Sequence, residues 1–344
     1  MSNLVEIDGN HLEGGGQILR TACAFSAVTK KPCRIFNIRS ARPKPGLAAQ
    51  HLLGIQALAQ LSGAKLEGDF LGSKEIKFHP NEIESKDIQI KIETAGSITL
   101  TLQALILPAL LASKPLKITF EGGATDTFFS PTVDYFRYVY LKVLEKMNVK
   151  VKVNILKRGY YPEGGAKVEV TVYPAETKPI DLTKRGSLRK ITVVSGASNI
   201  LKNKKVAERQ IAGVREVLGK LNLPTEEKLE YYQTKSPGSQ ICLNADFENT
   251  MIGTDNLGKL EKRAEDVGKE AALELLKEQK SNACLDKHLA DQILPFMAFA
   301  EKKSHVTVSE ITKHCKTNIW TIEKFTKGKF SLKEAELCQI IWNA

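Results

Sequence analysis

The first 180 residues repeat themselves. Gly16-Gln-Ile-Leu-Arg-Thr21 returns as Gly96-Ser-Ile-Thr-Leu-Thr101, each opening an apolar helix that ends near a Lys-Pro pair, Lys31-Pro32 and Lys114-Pro115. A strand follows each copy, over 33–38 and 116–120. Then come a proline-containing loop and a second helix with apolar residues at helical spacing, over 47–61 and 132–147. Two alternating strands close each unit, at His79-Pro80 and Tyr173-Pro174. The order is βαβαββ, used at least twice. Chance readily produces one shared Gly-x-Ile-x-x-Thr, but not a shared order of six elements. A unit of this kind carries its helices on one sheet face and must bury them against a neighbour, which restricts the chain to an α/β (α+β) architecture of packed repeats.

Beyond about Thr183 the texture changes. A basic stretch, a strand over 190–194, a charged helix over 204–221, strands near 229–233 and 239–246, and a long charged helix over 257–279 read as a smaller inserted α/β domain. Past Ser281 apolar residues return, with a helix expected over 289–300, so the chain should rejoin the main domain. The expected division is 1–182 with 280–344 as a large domain and 183–279 as the insert, which suits 344 residues.

A content of 42% hydrophobic and 26% charged residues is that of a globular chain and not a disordered one. No apolar run reaches the roughly 20 residues that cross a bilayer, and the first residues lead into a strand without a signal-peptide core, so a cytoplasmic location is expected. The six cysteines never form a C-x-x-C pair, which points away from a zinc site or a disulfide framework and toward buried thiols. The formal charge of +11 favours a polyanionic partner such as nucleic acid, although a lysine run such as 202–205 is more often solvated surface. Self-association is left open.

Three clusters could carry chemistry. Glu13-Gly-Gly-Gly-Gln-Ile-Leu-Arg20 sets a carboxylate, three glycines and an arginine at a helix start, where backbone N–H groups and the helix dipole favour an anion and Glu13 could hold Mg²⁺ against it. A glycine turn with Glu13 in solvent would look the same, and there is no Walker A loop. Arg39-Ser-Ala-Arg42-Pro-Lys44-Pro-Gly46 puts three cations in a proline-stiffened loop before a helix bearing Gln50 and His51, a suitable claw for phosphate. Gln103 is the lone polar side chain in the apolar run 98–111, so it is either tied to backbone or aimed at a ligand. Near the C-terminus, His288, Asp291 and Gln292 lie within one helical turn. His314 stands between Lys313 and Lys316, cations that would favour a neutral ring with a nitrogen free as nucleophile.

Together, Glu13 to Arg20, Arg42-Pro-Lys-Pro-Gly-Leu-Ala-Ala-Gln-His51, His288-Leu-Ala-Asp-Gln292 and His314 resemble the signature of RNA 3′-terminal phosphate cyclases, over nearly the whole chain. The resemblance implies a large domain of three βαβαββ units similar to the C-terminal domain of translation initiation factor three, the third unit broken by the insert. It implies ATP and a divalent metal, Mg²⁺ or Mn²⁺, as cofactors and an RNA with a 3′-terminal phosphate as partner. The histidine matching His314 would take AMP from ATP and pass it to the 3′-phosphate, and the 2′-hydroxyl would then close a 2′,3′-cyclic phosphate. Glu13 would hold the metal; Arg20, Arg39, Arg42, Gln50 and His51 would grip the triphosphate or the RNA phosphate. Gln103 would reach the nucleotide, Pro131 and His288 would sandwich the adenine, and Asp291 and Gln292 would lie near the ribose. The family often has tyrosine where this chain has His288, and His305 is the other histidine near the matching segment. Two other readings stand beside it: a cyclase-like RNA-binding scaffold of ribosome assembly, and an enolpyruvyl-type transferase.

Overall fold

Alternating apolar residues, Cys33 and Ile35 in one strand and Ile76 and Phe78 in another, give each strand of the first repeat one buried face. The computed structural model describes residues 4–221 and 223–344. Its first unit runs β1 (Val5–Asp8), α1 (Gly16–Thr29), β2 (Cys33–Phe36), α2 (Ala49–Ser62), β3 (Lys65–Glu67) and β4 (Ile76–His79). The second runs β5 (Ile88–Ser97), α3 (Ile98–Ala109), β6 (Leu116–Ala124), then α4 (Val133–Tyr135) and α5 (Leu141–Lys146) joined by a π-helical turn, and β7 (Val151–Lys157) and β8 (Lys167–Val172). The helix expected over 132–147 is thus one rod with a wider turn at its centre. In both sheets the first two strands are parallel, and the fourth lies antiparallel between the second and the third.

A third sheet repeats this connectivity from pieces far apart in sequence. The two-residue strand β9 (Asp181–Leu182) pairs in parallel with a strand more than a hundred residues later. Between them the chain builds a sheet of its own, from β10 (Leu188–Ser198), α6 (Val206–Leu218), β11 (Thr225–Tyr232), β12 (Ser239–Phe247), β13 (Met251–Leu257) and α7 (Ala264–Lys280), in strand order β11-β10-β12-β13. The helix expected over 257–279 begins only at Ala264, because Asp255 to Leu257 continue the ladder with Gln240 to Cys242. Then follow α8 (Lys287–Phe299), β14 (Ser304–Val308), α9 (Lys313–Ile322), β15 (Lys329–Lys333) and β16 (Cys338–Asn343), and the third sheet runs β9-β14-β16-β15.

The helices of the three like sheets meet in one continuous apolar core. α3 lies at its centre and is buried on nearly every side, which explains why its sequence is apolar all round. α1 packs against α2, α3 and α9, so the N-terminal glycines and the C-terminal helix become neighbours. The sheet formed within 188–257 has a separate core around Ile191, Val214, Leu243 and Leu275. Five cysteines are buried, all six are free thiols, and no described helix is long and apolar enough to cross a membrane. Arg158 at the end of β7 is buried and forks to both oxygens of Asp134 at 2.6 and 2.8 Å and to Asp126 at 3.0 Å. Gln240 of β12 donates to the same Asp134 at 3.2 Å and so fastens the fourth sheet to the second.

Candidate active site

The segment before α1 makes the first wall. His11 stacks on Trp320 of α9 with ring centroids 3.9 Å apart, and the buried hydroxyl of Thr21 donates to Asn318 at 2.5 Å. These contacts clamp the loop bearing Glu13 to the helix bearing His314. Gly16 is required here, because a Cβ would lie 1.9–2.3 Å from the ring atoms of His51. The imidazole therefore lies flat against the first turn of α1.

His314 occupies the first turn of α9, which Thr312 caps through the N–H of Cys315. Its Nδ1 meets Gln17 Oε1 at 2.5 Å, and Gln17 Nε2 donates to Asp291 Oδ2 at 2.8 Å. The carboxylate accepts, so the amide's NH₂ faces Asp291 and its oxygen faces the ring; Nδ1 must then carry the proton. Nε2 keeps a free lone pair and looks toward Glu13 Oε1 at 3.7 Å. Although half of the side chain stays exposed, desolvation on its inner side, together with Arg20, His288 and Arg42, outweighs Glu13 and lowers the His314 pKa from its ordinary value. The neutral ring expected from the flanking lysines is thus secured by burial and arginines, while Lys316 turns to Glu334 at 2.7 Å.

Arg42 reaches from its loop to Glu13, donating to the carboxylate at 2.8 Å and to the backbone carbonyl at 3.0 Å. Arg39 donates to the carbonyl of Gly46 at 3.0 Å and so ties the claw shut. Gly46 has φ +85° there, beside the backbone of Gly72, a position only glycine fits. Arg20 has no hydrogen bond among the described residues; burial draws it down to about 10 against the pull of Asp291. A half-buried guanidinium without a hydrogen-bond partner is suited to receive an anion. His51 is pushed down to about 3 by burial, with Arg20 and Arg39 adding to it, and its buried Nδ1 has no partner among the described residues. Gln50 is differently employed. Its amide donates to the carbonyl of Ser97 at 3.0 Å and accepts from the Ser97 N–H at 2.5 Å, joining α2 to the start of α3.

On the far side of α1 a small cavity of about 40 Å³ is bordered by Gln17, Arg20, Gln103, Asp291, Gln292 and Asn318. Gln103 donates to Gln292 at 2.9 Å, so the one amide side chain of α3 meets the C-terminal cluster, and Gln292 donates to the carbonyl of His288 at 2.7 Å. Burial, countered by Arg20, raises Asp291 to about 7. Asp286 caps α8 through the N–H groups of His288 and Leu289, leaving Asp291 on the inward face. Pro131 accepts at its carbonyl from Thr99 at 2.8 Å, and Asp255 accepts from the next N–H, Thr132, at 2.6 Å. His288 exerts a weak electrostatic pull on Asp255. His305 is away from this set, bound to Gln339 within the third sheet.

The structure thus brings Glu13, Arg42 and His314 together, sets Arg20, Gln103, Asp291 and Gln292 around the small cavity, and lays His51 against Gly16; Pro131 and His288 do not border that cavity. Gln17, His11 and Trp320 were not anticipated. Gln17 had a faint signal, being the polar residue one helical turn before Arg20 on a buried face.

A sequence model described as RNA 3′-terminal phosphate cyclase matches residues 11–332. The chain belongs to this family. The cyclase of that name from Pyrococcus abyssi is 46% identical over 330 residues, covering 96% of this chain and 95% of the relative. Those from Archaeoglobus fulgidus and Sulfurisphaera tokodaii are 44% and 42% identical over 322 and 325 residues, covering 94% of this chain and 95% and 94% of theirs. Among solved structures, the enolpyruvyl transferase NikO from Streptomyces tendae aligns with 49% of this chain and 33% of its own, at 16% identity and a TM-score of 0.29. For a member of the cyclase family, a histidine with one nitrogen pinned and the other open to a cationic cleft is the feature that needs a function.

Proposed function

We propose that this chain is an ATP-dependent RNA 3′-terminal phosphate cyclase, converting an RNA 3′-phosphate to a 2′,3′-cyclic phosphate with release of AMP and pyrophosphate. The single observation carrying this reading is the Gln17–His314 pair, which leaves the Nε2 lone pair facing Glu13.

A phosphate monoester has no good leaving group, and adenylylation supplies one through two easier steps. In the first, the Nε2 lone pair attacks the α-phosphorus of ATP and the bond to pyrophosphate breaks, its electrons leaving with pyrophosphate. The adduct is an imidazolium with its proton on Nδ1, and the carbonyl dipole of Gln17 stabilises that charge. In the second, an oxygen of the RNA 3′-phosphate attacks the adenylate phosphorus and Nε2 leaves with the bonding pair. In the third, the 2′-hydroxyl oxygen attacks the RNA phosphorus, AMP departs and the hydroxyl proton leaves to water.

In this reading Arg20, Arg39, Arg42 and His51 receive the triphosphate and the RNA phosphate, with Gln50 holding the wall behind them. Gln103, Asp291 and Gln292 meet the nucleoside, and Pro131 and His288 enclose its base. Glu13, the carboxylate beside His314, would hold a divalent ion. Such an ion would neutralise charge at the α-phosphate. The like connectivity of three sheets supports a large domain, 1–182 with 280–344, of units like the C-terminal domain of translation initiation factor three, and the separate core supports 183–279 as the insert. Six free thiols fit a cytoplasmic setting.

Incubation with α-labelled ATP and Mg²⁺ or Mn²⁺ tests the proposal. An acid-labile, alkali-stable adduct that disappears in His314→Ala, with the fold intact by circular dichroism, is the expected result. An unlabelled wild type would point to an RNA-binding scaffold, and label persisting in His314→Ala would move the nucleophile elsewhere.

A further inference from the structure

A second, larger groove of about 420 Å³ opens beside the phosphate claw, and the roles above leave it unused. One wall is His51 and Gln50; the other is the loop before α4, with Phe128 and Phe129, facing Tyr161. Phe129 is fully exposed and holds φ +63°, a left-handed conformation unfavourable for a bulky residue. Folding gains nothing from presenting an aromatic ring in this way. Tyr161 is also exposed, at 60%, and the Phe128 ring meets it edge-on with centroids 6.5 Å apart.

Cations from the fourth sheet stand at the rim. Lys259, just after β13, lies over the Phe128 ring at 5.5 Å, and the aliphatic stem of Lys235 lies over Gly165, close to Tyr161 in sequence. The N–H of Glu163 donates to Ser236 at 3.1 Å, fixing these two loops together. Aromatic faces with ammonium groups at their edge suit a single-stranded nucleic acid, whose bases stack while its backbone is neutralised. The groove is also continuous with the claw: His51 belongs to both, and its ring lies against Gly16, the neighbour of Gln17.

We propose that this groove holds the last nucleotides of the RNA, with Phe129 and Tyr161 as base-stacking faces and Lys259 and Lys235 meeting the backbone. The segment 183–279 then serves the reaction by completing the RNA path. This proposal rests on the cyclase reading, because that reading brings a 3′-phosphate to His314 and the preceding bases to the neighbouring groove.

The test uses the full chain and a 3′-phosphorylated, fluorescently tagged oligoribonucleotide. In Phe129→Ala and Tyr161→Ala, adenylylation by ATP without RNA should stay within twofold of wild type. The RNA concentration for half-maximal cyclisation, and the Kd for the tagged RNA, should rise roughly 5- to 150-fold per base-stacking face. An RNA abasic at its last two positions should bind wild type equally weakly and be insensitive to both variants. Lys259→Gln should lower the slope of log affinity against log salt by about 0.7. Unchanged RNA affinity in both aromatic variants overturns the proposal. So does loss of adenylylation, which would give the groove to the ATP base. A wild type that takes no label refutes the cyclase reading separately, and the binding measurement still decides the groove.

Discussion

Replacing Gln17 by leucine keeps the side chain's bulk but removes both of its bonds, to His314 at 2.5 Å and to Asp291 at 2.8 Å. Without an acceptor at Nδ1, the neutral imidazole is free to carry its proton on Nε2, and the nucleophilic lone pair then points away from Glu13. Losing one orienting hydrogen bond of this kind costs about 1–3 kcal/mol. All of that loss falls on the step that needs the Nε2 lone pair, so adenylylation should slow roughly 5- to 150-fold. Single-turnover labelling over a series of ATP concentrations reads this directly: the maximal rate falls while the half-saturating ATP moves less than about threefold. Gln17→Glu restores an acceptor and should recover part of the rate. Its carboxylate also favours the imidazolium, so the acid limb of the rate should shift to higher pH. A purely structural role would produce no such shift. Labelling of Gln17→Leu within twofold of wild type, or identical pH profiles for Gln17→Glu and wild type, would refute the reasoning.

Gly16→Ala should displace the His51 ring and destabilise the protein by about 1–3 kcal/mol, read as a lower denaturant midpoint, with weaker ATP binding by titration. Because desolvation and the neighbouring arginines lower the His314 pKa, protonation of the nucleophile should add an acid limb to wild-type adenylylation below the ordinary histidine range, and a His314-dependent acid limb lying above that range would contradict the site's electrostatics. Arg158→Met strands two buried carboxylates and should cost about 3–5 kcal/mol in chemical denaturation, whereas the exposed pair Lys30–Glu82 should contribute under about 1 kcal/mol.

Much of the architecture was legible in the chain because short-range pattern encodes it. The period-two strands and apolar helices of the first two units are local facts, and so are the glycines before α1 and the prolines of the claw. The third unit was not visible in this way. Its opening strand has two residues, too few for any periodicity, and becomes a strand only by pairing with β14. The boundary of α7 was misread for a similar reason. Asp255 to Leu257 are polar enough for a helix start, but strand pairing with β12 claims them.

The site divides along the same line. Residue types together with the family resemblance nominated Glu13, Arg20, Arg42, His51, Asp291 and His314, because phosphate chemistry needs guanidinium groups, a carboxylate and a nucleophile. They could not say that Gln17 would select the tautomer of a histidine 297 positions away, or that Gln50 would spend its amide on Ser97. They also could not place Lys259 over Phe128. The first two pairings arise where helices from different units bury their apolar faces together, and the third where two loops meet at the edge of that packing; burial is decided by the whole core. The sequence determined which chemical groups this protein owns and which local elements carry them; the tertiary packing decided which groups face one another across the cleft.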